Sequence, residues 1–200
     1  MKKLLMIAAL MVASLSASAQ EVGAFIKPMA GATLTTLTGD LNDLKMKVGF
    51  TGGVELGYQF HEMFALTAGA LYTMQGGRVS NDERKYMINM NYLNVPVMLA
   101  VYPVKGFGIK AGAQFGFLLN AKQGGEDFKD ACKKSDFSIP LGLSYEFDDA
   151  VVELRYNIGL SNILKADVDD EYSVFYGAHA DKKIHNSVIM LTFGYRIPLY

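Results

Sequence analysis

The sequence predicts an all-β fold, an eight-stranded antiparallel up-and-down transmembrane β-barrel, and three observations support this prediction. Apolar and polar residues alternate over long segments, as in residues 48–60, which is the pattern of a β-strand with two unlike faces. The segments exceed the roughly 9–11 residues with which a tilted strand crosses a bilayer, whereas soluble strands average about 5–6. The polar face combines charged residues with many glycines, although glycine weakens a strand and is rare on an exposed soluble face.

The chain divides into a predicted export signal and one barrel domain. Its first residues combine Lys2 and Lys3 with a short apolar stretch, Leu4 to Val12, and then Ala17-Ser18-Ala19, the pattern of a signal peptide and its cleavage site. The apolar stretch is too short to favour a membrane-spanning helix. We therefore predict a signal peptide over residues 1–19 and an outer-membrane β-barrel domain over residues 20–200.

Eight alternating segments follow in order, and none has a helical period. They predict strands at residues 23–35, 47–60, 63–76, 87–102, 107–121, 136–147, 151–163 and 184–197. The connections are tight at 61–62, 103–106 and 147–150 and long at 37–45, 77–86, 122–135 and 164–183. This alternation is typical of a meander of hairpins in an outer-membrane barrel, whose short turns and termini face the periplasm.

The two faces of each strand differ in a way that favours lipid outside and polar groups inside. The fifth strand, for example, has Lys110 and Gln114 on one parity and Ile109, Phe115 and Phe117 on the other. In hydrocarbon every backbone N–H and C=O must be paired, which a closed barrel achieves. A soluble periplasmic lipocalin-like barrel that binds a ligand is the alternative, because it also has eight strands in meander order.

Two further features of the strands lead to structural expectations. Three prolines, Pro28, Pro96 and Pro140, fall inside predicted strands, and each removes a ladder donor, which predicts a bulge or local irregularity nearby. Aromatic residues near the periplasmic strand ends are expected to form an interfacial girdle; they include Phe60, Phe64, Tyr102, Phe107, Tyr145 and Phe147.

Six charged residues are predicted to point into the periplasmic half of the lumen. They are Lys27, Glu55, Lys110, Glu153, Arg155 and Arg196. Buried charges must be paired, and both signs are present, so we predict a salt-bridged plug. A gated ion or proton path is the alternative. An open porin is not expected, because about 16–18 strands are needed for a wide aqueous channel.

The sequence offers little support for catalysis, a metal or a cofactor. His185 and Ser187 share an outward face near the outer end of the last strand, a spacing similar to that of lipid A-modifying hydrolases, but a carboxylate to orient the histidine is missing there. The acidic run at residues 166–171 lacks the spacing and glycine of a calcium loop. We predict no catalytic residue, no cofactor and no metal, with the outer-membrane hydrolase kept as an alternative function.

Charge and cysteine content set further limits. The formal net charge is −1, which does not suggest a nucleic-acid partner. The single cysteine, Cys132, lies in the polar stretch 122–135, so an intrachain disulfide is impossible, and we predict an incidental loop thiol accessible from the cell exterior.

Three stretches together resemble the PorT-like outer-membrane β-barrel family of Bacteroidetes. They are Phe25-Ile26-Lys27 leading to Gly31, Tyr92-Leu93-Asn94-Val95-Pro96, and Arg155-Tyr156-Asn157-Ile158-Gly159-Leu160-Ser161-Asn162-Ile163. The resemblance covers the mature chain and implies an integral protein of the cell outer membrane, linked in some members to protein secretion. Its implied partners are outer-membrane lipid and, through the loops, secretion-system or other envelope proteins.

Overall fold

The computed structural model describes residues 22–39, 44–81, 84–123, 126–127, 129, 132–163 and 184–199. Within these ranges the long strands are β1 (Gly23–Gly39), β2 (Lys47–His61), β3 (Phe64–Asn81), β4 (Arg84–Val104), β5 (Phe107–Gln123), β6 (Ser135–Phe147), β7 (Ala150–Gly159) and β8 (Ile184–Tyr195). Three short strand segments accompany them, Leu44–Lys45, Glu126–Asp127 and Ile197–Leu199. No helix in the described part of the chain is long and apolar enough to span a membrane.

The eight long strands form one closed antiparallel barrel, which confirms the predicted fold class. Each strand pairs with its sequence neighbour, and β1 pairs with both β2 and β8. Following directly paired residues once around the barrel from Ala24 leads back to β1 at Leu34. This offset is the stagger that strongly tilted barrel strands require.

Several strands end at different residues from those predicted, mainly on the outer side. The stretch 77–86 was expected to be a long loop, but β3 and β4 stay paired as far as Asn81 and Arg84. Its glycine and polar residues are typical of a turn, yet the continuing ladder satisfies their backbone groups. By contrast, β7 ends at Gly159, earlier than the predicted residue 163.

The prolines interrupt the ladder without producing bulges. Pairing of β1 with the C-terminal strand stops after Ile26 and resumes at Met29 in the same register, so Pro28 is skipped. Pro96 and Pro140 are skipped in the same way on one side of their strands. Losing one N–H therefore interrupts the strand pairing locally but does not shift its register. The observed register shifts lie elsewhere, and one falls between Asn91 and Tyr92.

Side-chain exposure confirms which face looks inward. On β5, Gln114 is 3% exposed, whereas its neighbour Phe115 is 54% exposed. The same alternation leaves many large apolar side chains on the outer surface and buries the charged ones. A soluble barrel would place those apolar side chains inside, so the lipocalin-like alternative is not favoured.

Candidate functional site: the charged lumen

Five of the six predicted lumen charges meet in one buried group, which we name the charged cluster. It consists of Lys27, Glu55, Lys110, Glu153 and Arg155, whose side chains are almost fully buried. The Nζ atoms of both lysines lie between the two carboxylates, 2.7 and 2.6 Å from Glu55 Oε1 and 3.2 and 3.0 Å from Glu153 Oε2.

Arg155 holds the remaining oxygens of the two carboxylates. Its Nε donates to Glu153 Oε1 at 2.7 Å, and its Nη2 donates to Glu55 Oε2 at 3.0 Å. Nη2 also donates to Glu153 Oε1. Each carboxylate therefore accepts from lysine on one oxygen and from arginine on the other, which is the pairing that charges buried this deeply require.

The strand registers explain how these long side chains fit together. Lys27 on β1 lies directly opposite Glu55 on β2, and Glu153 and Arg155 share the inward face of β7 because they are two residues apart. Glycine lies beside the charges on neighbouring strands. Gly142 on β6 is paired with both Lys110 and Arg155, so it adds no side chain where two long ones enter the lumen.

Arg196 belongs to a separate group nearer the periplasmic turns, which we name the periplasmic layer. Its members are Phe25, Gln59, Tyr102, Glu146 and Arg196. Arg196 donates to Glu146 at 3.1 Å and to Gln59 at 3.0 Å, and its guanidinium lies 4.0 Å from the centre of the Phe25 ring. The prediction that placed Tyr102 in the lipid-facing girdle is wrong, because its side chain points inward and donates to Glu146.

Above the charged cluster, toward the outer end, the lumen is lined by amide, hydroxyl and methionine side chains and by the carboxyl group of Asp136. Gln114 donates to Ser138 at 3.1 Å, and Asp136 accepts from Asn186 at 2.9 Å. Asn157 donates to the Met190 sulfur. Sequence alternation places these residues on the inward face, but nothing in it shows which of them touch.

A cluster of buried apolar side chains, which we name the outer cap, lies at the outer end of the barrel. It comprises Leu37, Ile88, Met90, Tyr92, Leu118, Ala121, Cys132, Ile163 and Ile184. Backbone hydrogen bonds link three segments at this end: the carbonyl of Ile163, which follows β7, accepts from the N–H of Lys133, and the N–H of Ile163 donates to the carbonyl of Ile184 at the start of β8. The prediction of an accessible loop thiol is wrong, since Cys132 is 1% exposed within this cap.

The residues considered for hydrolysis have other partners. The Nδ1 atom of His185 lies 3.0 Å from the carbonyl oxygen of Ser161, and the Ser187 hydroxyl donates to the Tyr156 hydroxyl at 3.0 Å. Among the described residues, no group of histidine, cysteine, aspartate or glutamate could hold a metal ion. The acidic run 166–171 lies outside the described residues.

A family model for the outer membrane protein beta-barrel domain matches residues 22–165. The chain belongs to this family. It is therefore an outer-membrane β-barrel protein, and the inward charges described above lie within a membrane-embedded barrel. No curated protein matches the sequence.

Several solved structures are similar to this chain at low sequence identity. Ail, the attachment invasion locus protein of Yersinia pestis, superposes with a TM-score of 0.50 at 16% identity, over 88% of this chain and 99% of that one. OprG from Pseudomonas aeruginosa gives a TM-score of 0.49 at 14% identity, over 90% and 99%. Outer membrane protein W of E. coli gives 0.42 at 16%, over 89% and 100%. At 16% identity the match to Ail shows the fold alone.

Proposed function

We propose that this protein is a closed, non-conducting barrel with a structural or accessory role in the outer membrane, rather than a porin or an enzyme. The observation that carries this proposal is the filled lumen. The periplasmic layer, the charged cluster and the outer cap occupy successive levels of the barrel. A barrel of about eight strands has an interior just wide enough for its own side chains, which agrees with this arrangement.

The charged cluster supports a plug more than an ion path. A conducting path needs charged groups that can exchange partners with a passing ion. Here both carboxylates already accept from lysine and arginine at distances between 2.6 and 3.2 Å. Releasing any one of these groups would leave a charge buried without its partner, which is costly.

The accessory part of the proposal concerns the outer end of the barrel. Outer-membrane lipid surrounds the apolar exterior, and the outer connections are the segments that can reach secretion-system or other envelope proteins. The resemblance to PorT-like proteins supports this role. The proposal includes no catalysis, since His185 and Ser187 are bound to Ser161 and Tyr156 and not to each other.

Conductance tests the closed lumen directly. Purified barrel is inserted into planar lipid bilayers, with a general porin as positive control. We expect no stable conductance from the wild-type protein. Because Ile184 is a member of the outer cap with 0% exposure, an Ile184→Asp variant tests whether damage to the cap admits ions. Steady wild-type conductance of any size would refute the closed barrel.

Site-specific crosslinking tests the accessory role. A photoreactive amino acid replaces Lys134, which is exposed beside the outer cap, and a matched variant carries it at Leu154, which faces lipid and is 49% exposed. In native membranes we expect protein crosslinks at position 134 and only lipid crosslinks at position 154. Lipid or no adducts at both positions would rule out a partner at this surface.

A further inference from the structure

The charged cluster is not electrically balanced. Lys27, Lys110 and Arg155 supply three cations, and Glu55 and Glu153 supply two carboxylates. One positive charge therefore remains in a region where every member is at most 4% exposed. A buried charge without compensation is unfavourable, so proteins pair it or neutralise it.

The excess charge coincides with an unused donor. The guanidinium of Arg155 binds Glu153 through the edge formed by Nε and Nη2, and Nη2 also reaches Glu55. The third nitrogen, Nη1, is buried and has no hydrogen-bond partner among the described residues. Since Nη1 lies away from the edge that holds Glu153, both of its N–H groups are directed elsewhere in the lumen.

A second donor lies beside Arg155. The paired residue of Arg155 on β6 is Gly142, which has no side chain, and an added Cβ there would be in van der Waals contact with Glu153 Oε1 at 3.5 Å. The next inward residue on the same strand is Asn157, whose Nδ2 faces only the Met190 sulfur and whose Oδ1 is buried without a partner. Turning this amide over would direct its NH₂ group into the lumen.

Other lumen charges do not balance the excess. The periplasmic layer contains one arginine and one glutamate that pair with each other. Asp136 is bound to Asn186, and it precedes Gly142, the residue paired with Arg155, by six positions on β6. At about 3.3 Å per residue that separation is roughly 20 Å along the strand, too far for direct pairing.

We propose that the lumen binds a small monovalent anion of halide size against Nη1 of Arg155, with the Asn157 amide as a second donor. The anion neutralises the charged cluster and completes the hydrogen bonds of the guanidinium. This inference assumes the closed lumen proposed above. Conductance measured on the same preparation separates the two, because an open barrel refutes both proposals and a closed barrel without an anion refutes only this one.

Bromide locates the site in the folded wild-type protein. Crystals of the detergent-solubilised barrel are grown in sodium bromide, and anomalous scattering is measured at the bromine edge. We expect a bromide peak within hydrogen-bond distance of Arg155 Nη1. Absence of a bromide peak in the lumen would overturn the proposal.

Ion-specific stability provides an independent test with variants of opposite charge. Thermal unfolding is followed in sodium chloride and in sodium gluconate at equal ionic strength, and a bound ligand raises the midpoint as its concentration exceeds Kd. We expect a higher midpoint in chloride for wild type, a larger chloride effect for Glu55→Gln, and none for Lys27→Met. An equal chloride effect in all three proteins would overturn the proposal.

Discussion

Replacing Arg155 with alanine removes the only donor, in the described part of the chain, to two buried carboxylate oxygens. Glu55 Oε2 and Glu153 Oε1 both accept from Arg155, whereas the two lysines bind the opposite oxygen of each carboxylate. Removing one partner of a buried ionic group costs about 3–5 kcal/mol, because the other partner stays buried. We expect the free energy of unfolding of Arg155→Ala to fall by that amount.

Lys27→Ala is the matched truncation within the same cluster. Lys27 binds Glu55 Oε1 and Glu153 Oε2, and Lys110 binds both of these oxygens as well. No carboxylate oxygen therefore loses its last donor. The expected cost is closer to that of one hydrogen bond to a charged group, about 1.5–3 kcal/mol.

Both variants are compared with wild type by urea titration of barrels folded into lipid vesicles, and by the temperature at which the fast-migrating folded band disappears from a semi-native gel. Leu154→Ile, a lipid-facing change between Glu153 and Arg155, is the control and should change neither measurement. If Lys27→Ala proved as destabilising as Arg155→Ala, the division of the oxygens between lysine and arginine would be wrong. Unchanged stability of Arg155→Ala would refute the plug.

Two other predictions follow from the packing. Cys132 should resist a membrane-impermeant thiol reagent in intact cells and react after denaturation, because it is buried in the outer cap; rapid labelling of the folded protein would contradict the cap. Gly57→Ala should destabilise the barrel by about 1–3 kcal/mol, since its new Cβ would lie 2.1 Å from the Phe25 ring. Gly142→Ala, with no atom closer than 3.5 Å, should be nearly neutral in the same urea titration, and equal effects of the two glycine changes would refute this interpretation.

The sequence predicts the barrel well because its main signal has a period of two and is strong in most strands. Lipid outside and charge inside require the same alternation in every strand. The number of strands, their order and the inward face of each can therefore be predicted from this one pattern. The outer strand ends are less predictable. Gly76 and Gly77 are typical of a turn in the sequence, and Gly76 has a φ of 124°. The strands β3 and β4 nevertheless stay paired beyond these glycines, as far as Asn81 and Arg84.

Cys132 shows a second limit of sequence patterns. Its polar neighbours, including Lys133 and Lys134, are typical of a solvated loop. Whether one side chain in such a stretch turns inward depends on tertiary contacts, here the backbone hydrogen bond from Lys133 to Ile163. Local composition does not encode the distance between two loops, so the burial of Cys132 could not be predicted.

The membership of the charged cluster depends on strand tilt. Alternation alone gives Arg196 and Arg155 the same status, because both point inward in the periplasmic half. Because the strands are tilted, residues at similar positions in successive strands lie at different levels along the barrel axis. These levels are known only once the register of every strand pair around the closed barrel is known. The registers bring Lys110 on β5 to the level of Glu55 on β2, whereas Arg196 lies lower and meets Glu146. A change that shifted one register by two residues would preserve every inward face and still separate these charges, so the charged cluster depends on the register as well as on the alternation.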